Sequence, residues 1–291
     1  MKQITVISGK GGTGKTSFVA AFAGLAENAV LADCDVDAAD LHLIFNPTVL
    51  ETQEFMSGYQ VRFDPEKCSA CGECVPVCRF RAVTLHDDSL LPLFDPFACE
   101  GCGCCVDICP TGALILEDRK SGEMYVSDTR FGPMVHARLD VGESSSGKLV
   151  SMVRTRSREI AEQEHRDLIL IDGSPGVGCP VIASLNGVDT ALIVTEPTVS
   201  GLHDLQRVTE LCRHFQIPTS VIVNKFDLNA EMASQIESYS DGQDMICLGR
   251  IAFDPLFVKS MAASKTVVEF AGQSKTAERL QAIWVKLVSE L

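Results

Sequence analysis

The chain offers little that a membrane could hold as a span. No stretch of its 291 residues approaches 18 uninterrupted apolar residues, so no transmembrane helix is expected. An export leader is missing too. Met1-Lys2-Gln3 runs straight into an apolar, β-branched segment, so we expect no signal peptide and a cytoplasmic protein. Basic residues are in short supply, with 25 Lys and Arg against 39 Asp and Glu and a formal net charge of −14. A chain that acidic has no general attraction to phosphate backbones, so nucleic-acid binding is disfavoured. The densest basic run, Arg154, Arg156 and Arg158, reads as a solvated helix face. The 6 histidines, among them His136, His203 and His214, show no metal-binding spacing and read as packing or surface residues. Cysteine is the opposite case. Thirteen cysteines in a chain without an export signal point to metal ligation rather than disulfides. With 46% hydrophobic residues, the chain can bury one large core and add a second small module.

The most organised stretch is Ile4–Ser17. A short β-branched strand enters Gly9-Lys10-Gly11-Gly12-Thr13-Gly14-Lys15-Thr16-Ser17, and a helix follows. From Gly9 to Thr16 the spacing is Gly-x4-Gly-Lys-Thr. Glycines at these positions let backbone N–H groups point inward and cradle phosphate oxygens, and the helix start adds its positive end. Lys15 is placed to reach the β- and γ-phosphates and the Thr16 hydroxyl to hold Mg2+. A second segment, Gly142 to Leu149, imitates this pattern. Leu149 stands where a hydroxyl must meet magnesium, so it reads as a polar loop leading into a helix over Lys148–Glu162.

The rest of the chain alternates apolar strands with helices, as parallel α/β folds do. Ala29–Asp33 ends in the acidic cluster Asp33, Asp35, Asp37 and Asp40. Leu168–Asp172 is fully apolar, ends in an aspartate and runs on to Gly176. Carboxylates at the carboxyl ends of parallel strands lie where such folds bind ligands. One of them can polarise an attacking water and another can hold magnesium. Thr190–Thr195 and Thr219–Asn224 follow the same rhythm, as does Met245–Gly249 before Asp254 and Pro255. Residues 46–60 read as a polar connector, broken by Pro47 and Gly58. The last helix, Lys275–Leu291, carries Leu280, Trp284, Leu287 and Leu291 on one stripe. Its polar face is not strongly basic, so core packing rather than membrane attachment is expected.

Between these strands lies an internal duplication. Cys68, Cys71, Cys74 and Cys78 have the spacing C-x2-C-x2-C-x3-C, and Cys99, Cys102, Cys105 and Cys109 repeat it. This is the spacing of bacterial two-cluster ferredoxins, in which the fourth cysteine of each run ligates the other run's cluster. Cys68, Cys71, Cys74 and Cys109 are therefore assigned to one [4Fe–4S] cluster, and Cys99, Cys102, Cys105 and Cys78 to a second. Two tetrahedral zinc sites are the alternative. Pro110 follows the second run, but Arg79 follows the first, where its cation either raises the potential of the nearby cluster or folds outward. Cys104 has no assigned role and reads as a packed or spare thiol, and Cys179 as a small buried thiol.

The Gly-Lys-Gly-Gly-x-Gly-Lys-Thr loop resembles the deviant P-loop of the MinD, ParA, Mrp and nitrogenase iron protein ATPases. The resemblance covers residues 1–45 and about 165–270, and the ferredoxin resemblance covers 60–118. It implies ATP as the nucleotide and a homodimer in which Lys10 reaches the partner's nucleotide. It implies that Asp35 orients the attacking water and that Asp172 is the Walker B carboxylate. Gly176 would sense the γ-phosphate in switch II, Asn224 would contact the adenine, and Asp254-Pro255 would border the nucleotide. Together these readings give an α/β protein, a mostly parallel P-loop sheet with helices on both faces. The ATPase domain is expected over 1–59 and 119–291, with a ferredoxin-like insert over 60–118. Two functions compete. In one, nucleotide state gates electron transfer through the clusters, or their handling, with a redox or apo-protein partner. In the other, a regulatory or positioning ATPase uses the clusters only to stabilise an interaction domain.

Overall fold

The computed structural model describes residues 1–143 and 147–291. Ser144, Ser145 and Ser146, inside the polar loop that imitates a P-loop, lie outside them. The chain divides into two compact units. The larger takes Met1–Gln53, Met124–Leu139 and the C-terminal part to Leu291. The smaller takes Glu54–Glu123 and a short return segment that begins at Asp140.

The chain opens with β1 (Lys2–Ser8), α1 (Lys15–Ala23), β2 (Ala29–Asp33), α2 (Leu41–Phe45) and a long β3 (Thr48–Phe63). Short elements follow: α3 (Cys74–Val77), β4 (Val83–Leu85), β5 (Pro92–Phe94) and α4 (Cys104–Ile108). A second long strand, β6 (Leu114–Thr129), turns through Arg130-Phe131 into β7 (Gly132–Leu139). From there strand and helix alternate: α5 (Gly147–Gln163), β8 (Leu168–Pro175), α6 (Cys179–Leu185), β9 (Thr190–Thr195), α7 (Val199–His214), β10 (Thr219–Asn224), α8 (Ala230–Asp241) and β11 (Ile246–Ile251). Three helices close the chain: α9 (Leu256–Ala262), α10 (Val267–Phe270) and α11 (Lys275–Ser289).

The strands form one sheet in the order β11-β10-β9-β1-β8-β2-β7-β6-β3, and β4 pairs with β5 in a separate hairpin. Every pairing from β11 to β7 is parallel. Two residues cannot make a parallel crossover, so β6 and β7 run antiparallel. The central strands are apolar on both faces because helices cover both. Along β1, Ile4 and Val6 face Phe18 and Phe22 of α1 and Leu280, Trp284 and Leu287 of α11. Ile7 points the other way, into a core with Val181 of α6, Leu205 and Val208 of α7 and Ile236 of α8. The C-terminal stripe is therefore core. The single tryptophan, Trp284, stacks on Phe22 with ring centroids 5.2 Å apart. Each such large side chain contributes about 1.5–3 kcal/mol by leaving water.

One expectation fails in the middle of the chain. The polar connector at 46–60 is strand β3 from Thr48 onward. Almost all of its side chains are exposed, with Phe55 the one fully buried, so no alternation marks it. It is a strand because β6 supplies its hydrogen bonds. Gly58 fits inside it at φ 71, which a side chain would resist. Strand β6 runs unbroken past residue 118, through Lys120–Glu123. Residues 125–139, which carry no clear signal, complete β6 and form β7. The smaller unit has a slight core. Its buried cluster consists of Cys74, Val83, Cys105 and Leu114, with Val61, Phe63 and Phe94 packed against it.

His136 is a packing residue, as expected, but with a consequence. It lies on β7 in register with Asp33 of β2. Its ring stacks on Tyr125 at 5.0 Å and on His42 at 6.0 Å, and its Nε2 lies 2.9 Å from the Ser127 hydroxyl. Burial, and then the nearby His42, push its pKa down from 6.5 to about 4. The folded state thus refuses a proton that the unfolded chain accepts. Stability is unaffected above about pH 6.5 and falls as the pH drops from there to about 4. Each pKa unit is worth about 1.4 kcal/mol, so the loss is roughly 3 kcal/mol. Between pH 7 and pH 4 the parent should lose about that much more stability than His136→Gln, measured by denaturant unfolding followed through Trp284 fluorescence. Equal losses would mean that His136 does not carry this pH dependence.

Candidate functional site

The glycine-rich loop closes over the end of β1. The Ser8 hydroxyl donates to the Lys10 carbonyl at 2.8 Å. Gly12 and Gly14 take left-handed conformations, at φ 81 and φ 97, and Gly14 caps α1. Space as well as conformation demands glycine here. A Cβ on Gly14 would lie 2.6 Å from Asn224 Nδ2, and one on Gly9 would lie 2.8 Å from the Asp204 carbonyl carbon. In front of Gly11 and Gly12 there is open space.

Lys15 is buried beneath the loop between two carboxylates. Its Nζ pairs with Asp172 Oδ1, where the apolar run Leu168–Ile171 stops within β8, and with Asp35 Oδ2 at 3.2 Å. Burial works against its charge, but Asp172 and Asp35 outweigh that, and its pKa is raised. Two buried polar atoms at this place have no hydrogen-bond partner among the described residues: Thr13 Oγ1 and Asp172 Oδ2. Thr16 Oγ1 is 3.5 Å from Lys15 Nζ. These atoms are the ones a magnesium–phosphate group would satisfy.

The acidic cluster after β2 separates into distinct parts. Asp33 is fully buried and accepts N–H groups of Asp35 and Leu41 at 3.2 and 3.3 Å. Burial, and then the charge of Asp172, raise its pKa well above the usual carboxylate range. Asp33 thus folds the loop that presents Asp35. Asp35 faces Lys15, and burial raises its pKa as well. Asp40 is exposed. Gly176 stands at φ 92 with open space beside it, and its N–H donates to the Ser8 carbonyl at 2.8 Å.

The residues expected at the base end of the nucleotide hold the site together. Asn224 donates from its amide to the Thr13 carbonyl at 2.7 Å and accepts its neighbour's N–H at 2.9 Å. Asp254 accepts from Leu256 N at 2.9 Å and from the Thr276 hydroxyl. Pro255 begins α9, and the Ser17 hydroxyl reaches Met261 Sδ on that helix at 3.6 Å.

Lys10 brings in a residue that motif reading missed. Its Nζ lies 2.6 Å from Glu196 Oε1 and donates to Ser200 Oγ at 3.0 Å. Glu196 also holds Lys225 at 3.2 Å, and Lys225 donates to the Gly12 carbonyl at 3.0 Å. Burial works against its charge, but Lys10 and Lys225 together outweigh that and keep the Glu196 carboxyl below its usual range. Glu196 follows β9 directly. The rule that singled out Asp33 and Asp172, a carboxylate at the end of a parallel strand, marks it too.

In the smaller unit the cysteines sort by position. Cys68, Cys71, Cys74 and Cys109 line one cleft. Cys78, Cys99, Cys102 and Cys105 line another, together with Cys104. The fourth cysteine of each run thus stands with the first three of the other. Among the described residues, no three His, Cys, Asp or Glu side chains gather as a single metal ion would require. Arg79 is exposed. Cys104 and Cys179 are exposed rather than packed, because each opens a short helix at the surface.

A parallel sheet, a phosphate-binding loop at the end of β1 and carboxylates from the two neighbouring strands define a P-loop nucleotide-binding protein. The model of the CobQ/CobB/MinD/ParA nucleotide binding domain matches residues 4–267, and the chain belongs to that family. It is 38% identical over 232 residues to an uncharacterized protein of Methanocaldococcus jannaschii, covering 78% of this chain and 79% of the relative. A second uncharacterized protein of that organism is 24% identical over 240 residues, covering 79% and 82%. Among solved structures, the septum site-determining protein MinD of Pyrococcus horikoshii, complexed with Mg-ADP, superposes with a TM-score of 0.59 at 18% identity. It covers 98% of this chain and 95% of that one. The MinC:MinD complex of Aquifex aeolicus gives 0.59 at 19% identity, covering 100% and 97%. These two likenesses show the fold.

Gly14→Ala should weaken binding of a fluorescent ADP analogue by at least tenfold, or about 1.4 kcal/mol. The new methyl group cannot keep both φ 97 and the Asn224 contact. Unchanged affinity in a titration of that variant would show that the loop does not hold the phosphates.

Proposed function

We propose that this chain is a magnesium-dependent ATPase of the regulatory or positioning kind, in which bound nucleotide sets self-association and partner binding. The observation that carries this reading is the buried Lys15 between Asp35 and Asp172, beneath a loop whose own lysine, Lys10, is held by Glu196. Lys15 supplies positive charge where negative charge develops in the transition state. Asp35 is placed to orient the attacking water. The unpartnered oxygen of Asp172 and the Thr16 hydroxyl would hold magnesium, which would neutralise phosphate charge. Gly176 can trade its bond to the Ser8 carbonyl for the γ-phosphate, which links switch II to nucleotide state. Lys10 is in salt-bridge contact with Glu196, so it must leave that partner before it can reach a nucleotide on a second copy. Dimerisation then competes with an internal ion pair. The Aquifex structure pairs MinD with MinC, which supports a protein partner for this chain as well.

The smaller unit would be the partner-facing module, ferredoxin-like and loaded with two [4Fe–4S] clusters. Its donor set fits that cargo. Each quartet of sulfurs rings a space instead of meeting at one point, as a zinc ion bound at about 2.3 Å to all four would demand. A buried cluster of four residues, two of them cysteines, is also too slight to hold a unit of this size without a covalent or metal staple. When bound, the clusters supply one-electron chemistry. The presence of two quartets rather than one favours a second reading, in which nucleotide state gates electron transfer through the module or cluster transfer to an apo-protein.

Four measurements bear on these readings. Lys15→Ala should abolish ATP hydrolysis, with Trp284 fluorescence used to check that the fold persists. Turnover at the parent rate would sink the ATPase assignment. A non-hydrolysable ATP analogue should dimerise the parent in light scattering, Lys10→Ala should stay monomeric, and Glu196→Gln should dimerise at lower protein concentration. If Lys10→Ala dimerises like the parent, the loop is not of the deviant kind.

Anaerobically purified protein should contain about eight irons and eight labile sulfides per chain, as two four-iron clusters require. Zinc without labile sulfide would replace the cluster reading by the structural one. A redox titration with ADP and with the ATP analogue separates the two functions. Equal potentials favour the regulator. A shift near 59 mV, a tenfold one-electron coupling, favours the relay.

A further inference from the structure

The two cysteine clefts are not equivalent. The repeat offset of 31 residues pairs Cys71-Gly72-Glu73-Cys74 with Cys102-Gly103-Cys104-Cys105. In the first cleft the position between glycine and the third cysteine is Glu73, and Glu73 lines that cleft. In the second cleft the same position is Cys104, and it lines the cleft beside Cys102. Gly103, at φ 80, makes the bend that lets residues on both sides of it face the same space. Cys102 and Cys104 thus line the same cleft from either side of that glycine. Both are exposed, whereas Cys105, the next ligand along, is buried. Five sulfurs therefore stand around a space that needs four, and the surplus lies at its solvent side.

Resting on the cluster reading above, we propose that Cys102 and Cys104 are interchangeable ligands for one corner of the second cluster. In the exchange an iron–sulfur bond forms to Cys104 Sγ and the bond to Cys102 Sγ breaks. The hydrogen of the incoming thiol is taken up by the outgoing sulfur, and no electron is gained or lost. The first cluster has no such substitute, because a carboxylate occupies the matching place. The second cluster would thus keep a protein ligand at that corner whichever of the two thiols is bound.

The test uses the full chain, purified anaerobically, in four forms: parent, Cys102→Ala, Cys104→Ala and the double variant, with Cys71→Ala as the control without a spare. Iron and labile sulfide are counted, and cysteines are mapped by alkylation and mass spectrometry. Cys102→Ala and Cys104→Ala should each keep the parent's iron, while Cys71→Ala and the double variant should fall to roughly half. Cys104 should be alkylated in the parent and protected in Cys102→Ala. The spectrum of the reduced Cys102→Ala cluster should differ from the parent's, because the ligand arrives from a different backbone position. Loss of half the iron from Cys102→Ala alone, with nucleotide binding intact, would overturn the exchange. So would full iron in the double variant, or alkylation of Cys104 in an iron-replete Cys102→Ala. A parent with no iron and no labile sulfide would instead remove the cluster reading itself.

Discussion

One charge holds the nucleotide unit's chemistry in place. Lys15 is buried, and so are the two carboxylates it pairs with. A buried ion pair adds little net stability, but removing one partner strands the other and costs about 3–5 kcal/mol. The site is thus arranged so that its buried lysine cannot wander. Asp172 ends an apolar strand, Asp35 follows the neighbouring strand, and the loop's glycines close over both. The parallel pairing of β1, β8 and β2 is what brings the three ends together, since parallel strands deliver all their carboxyl ends to one edge.

Around that triad, the remaining polar residues hold one another. Asp33 spends both oxygens on the backbone of the loop carrying Asp35. Asn224 spends its amide on the phosphate loop. Glu196 gathers Lys10 and Lys225. The Asp33 bonds are local, whereas those from Asn224 to Thr13 and from Glu196 to Lys10 link segments far apart in sequence. A nucleotide entering such a site does not meet loose side chains. It meets an existing set of bonds that it must replace, and the difference between the two sets is what a switch can use.

The sequence was most informative where geometry is local. The glycine spacing from Gly9 to Thr16, the apolar strands ending in Asp172 and Asn224, and the crossed pairing of cysteines all follow from residues a few positions apart or from an internal repeat. It was silent where a partner decides. Strand β3 carries no alternation because most of its side chains face water, and only its pairing with β6 makes it a strand. The same holds for Lys10, whose contact with Glu196 spans most of the chain. The Asn224 amide, expected to contact adenine, also donates to the Thr13 carbonyl, a contact across 211 residues that no local pattern announces. Cys179 was read as buried because small thiols usually are, yet it opens a helix at the surface.

The two long strands that carry the chain out of the nucleotide unit and back again are hydrogen-bonded neighbours. The division between the units falls inside both, at Gln53 and Met124. Removing everything between would leave two adjacent strand ends for a short turn to join. The chain thus enters and leaves the cysteine-bearing unit through a single pair of neighbouring strands. A lineage could gain or shed that unit without redesigning the ATP site, so the two halves can have separate histories even though they share one chain.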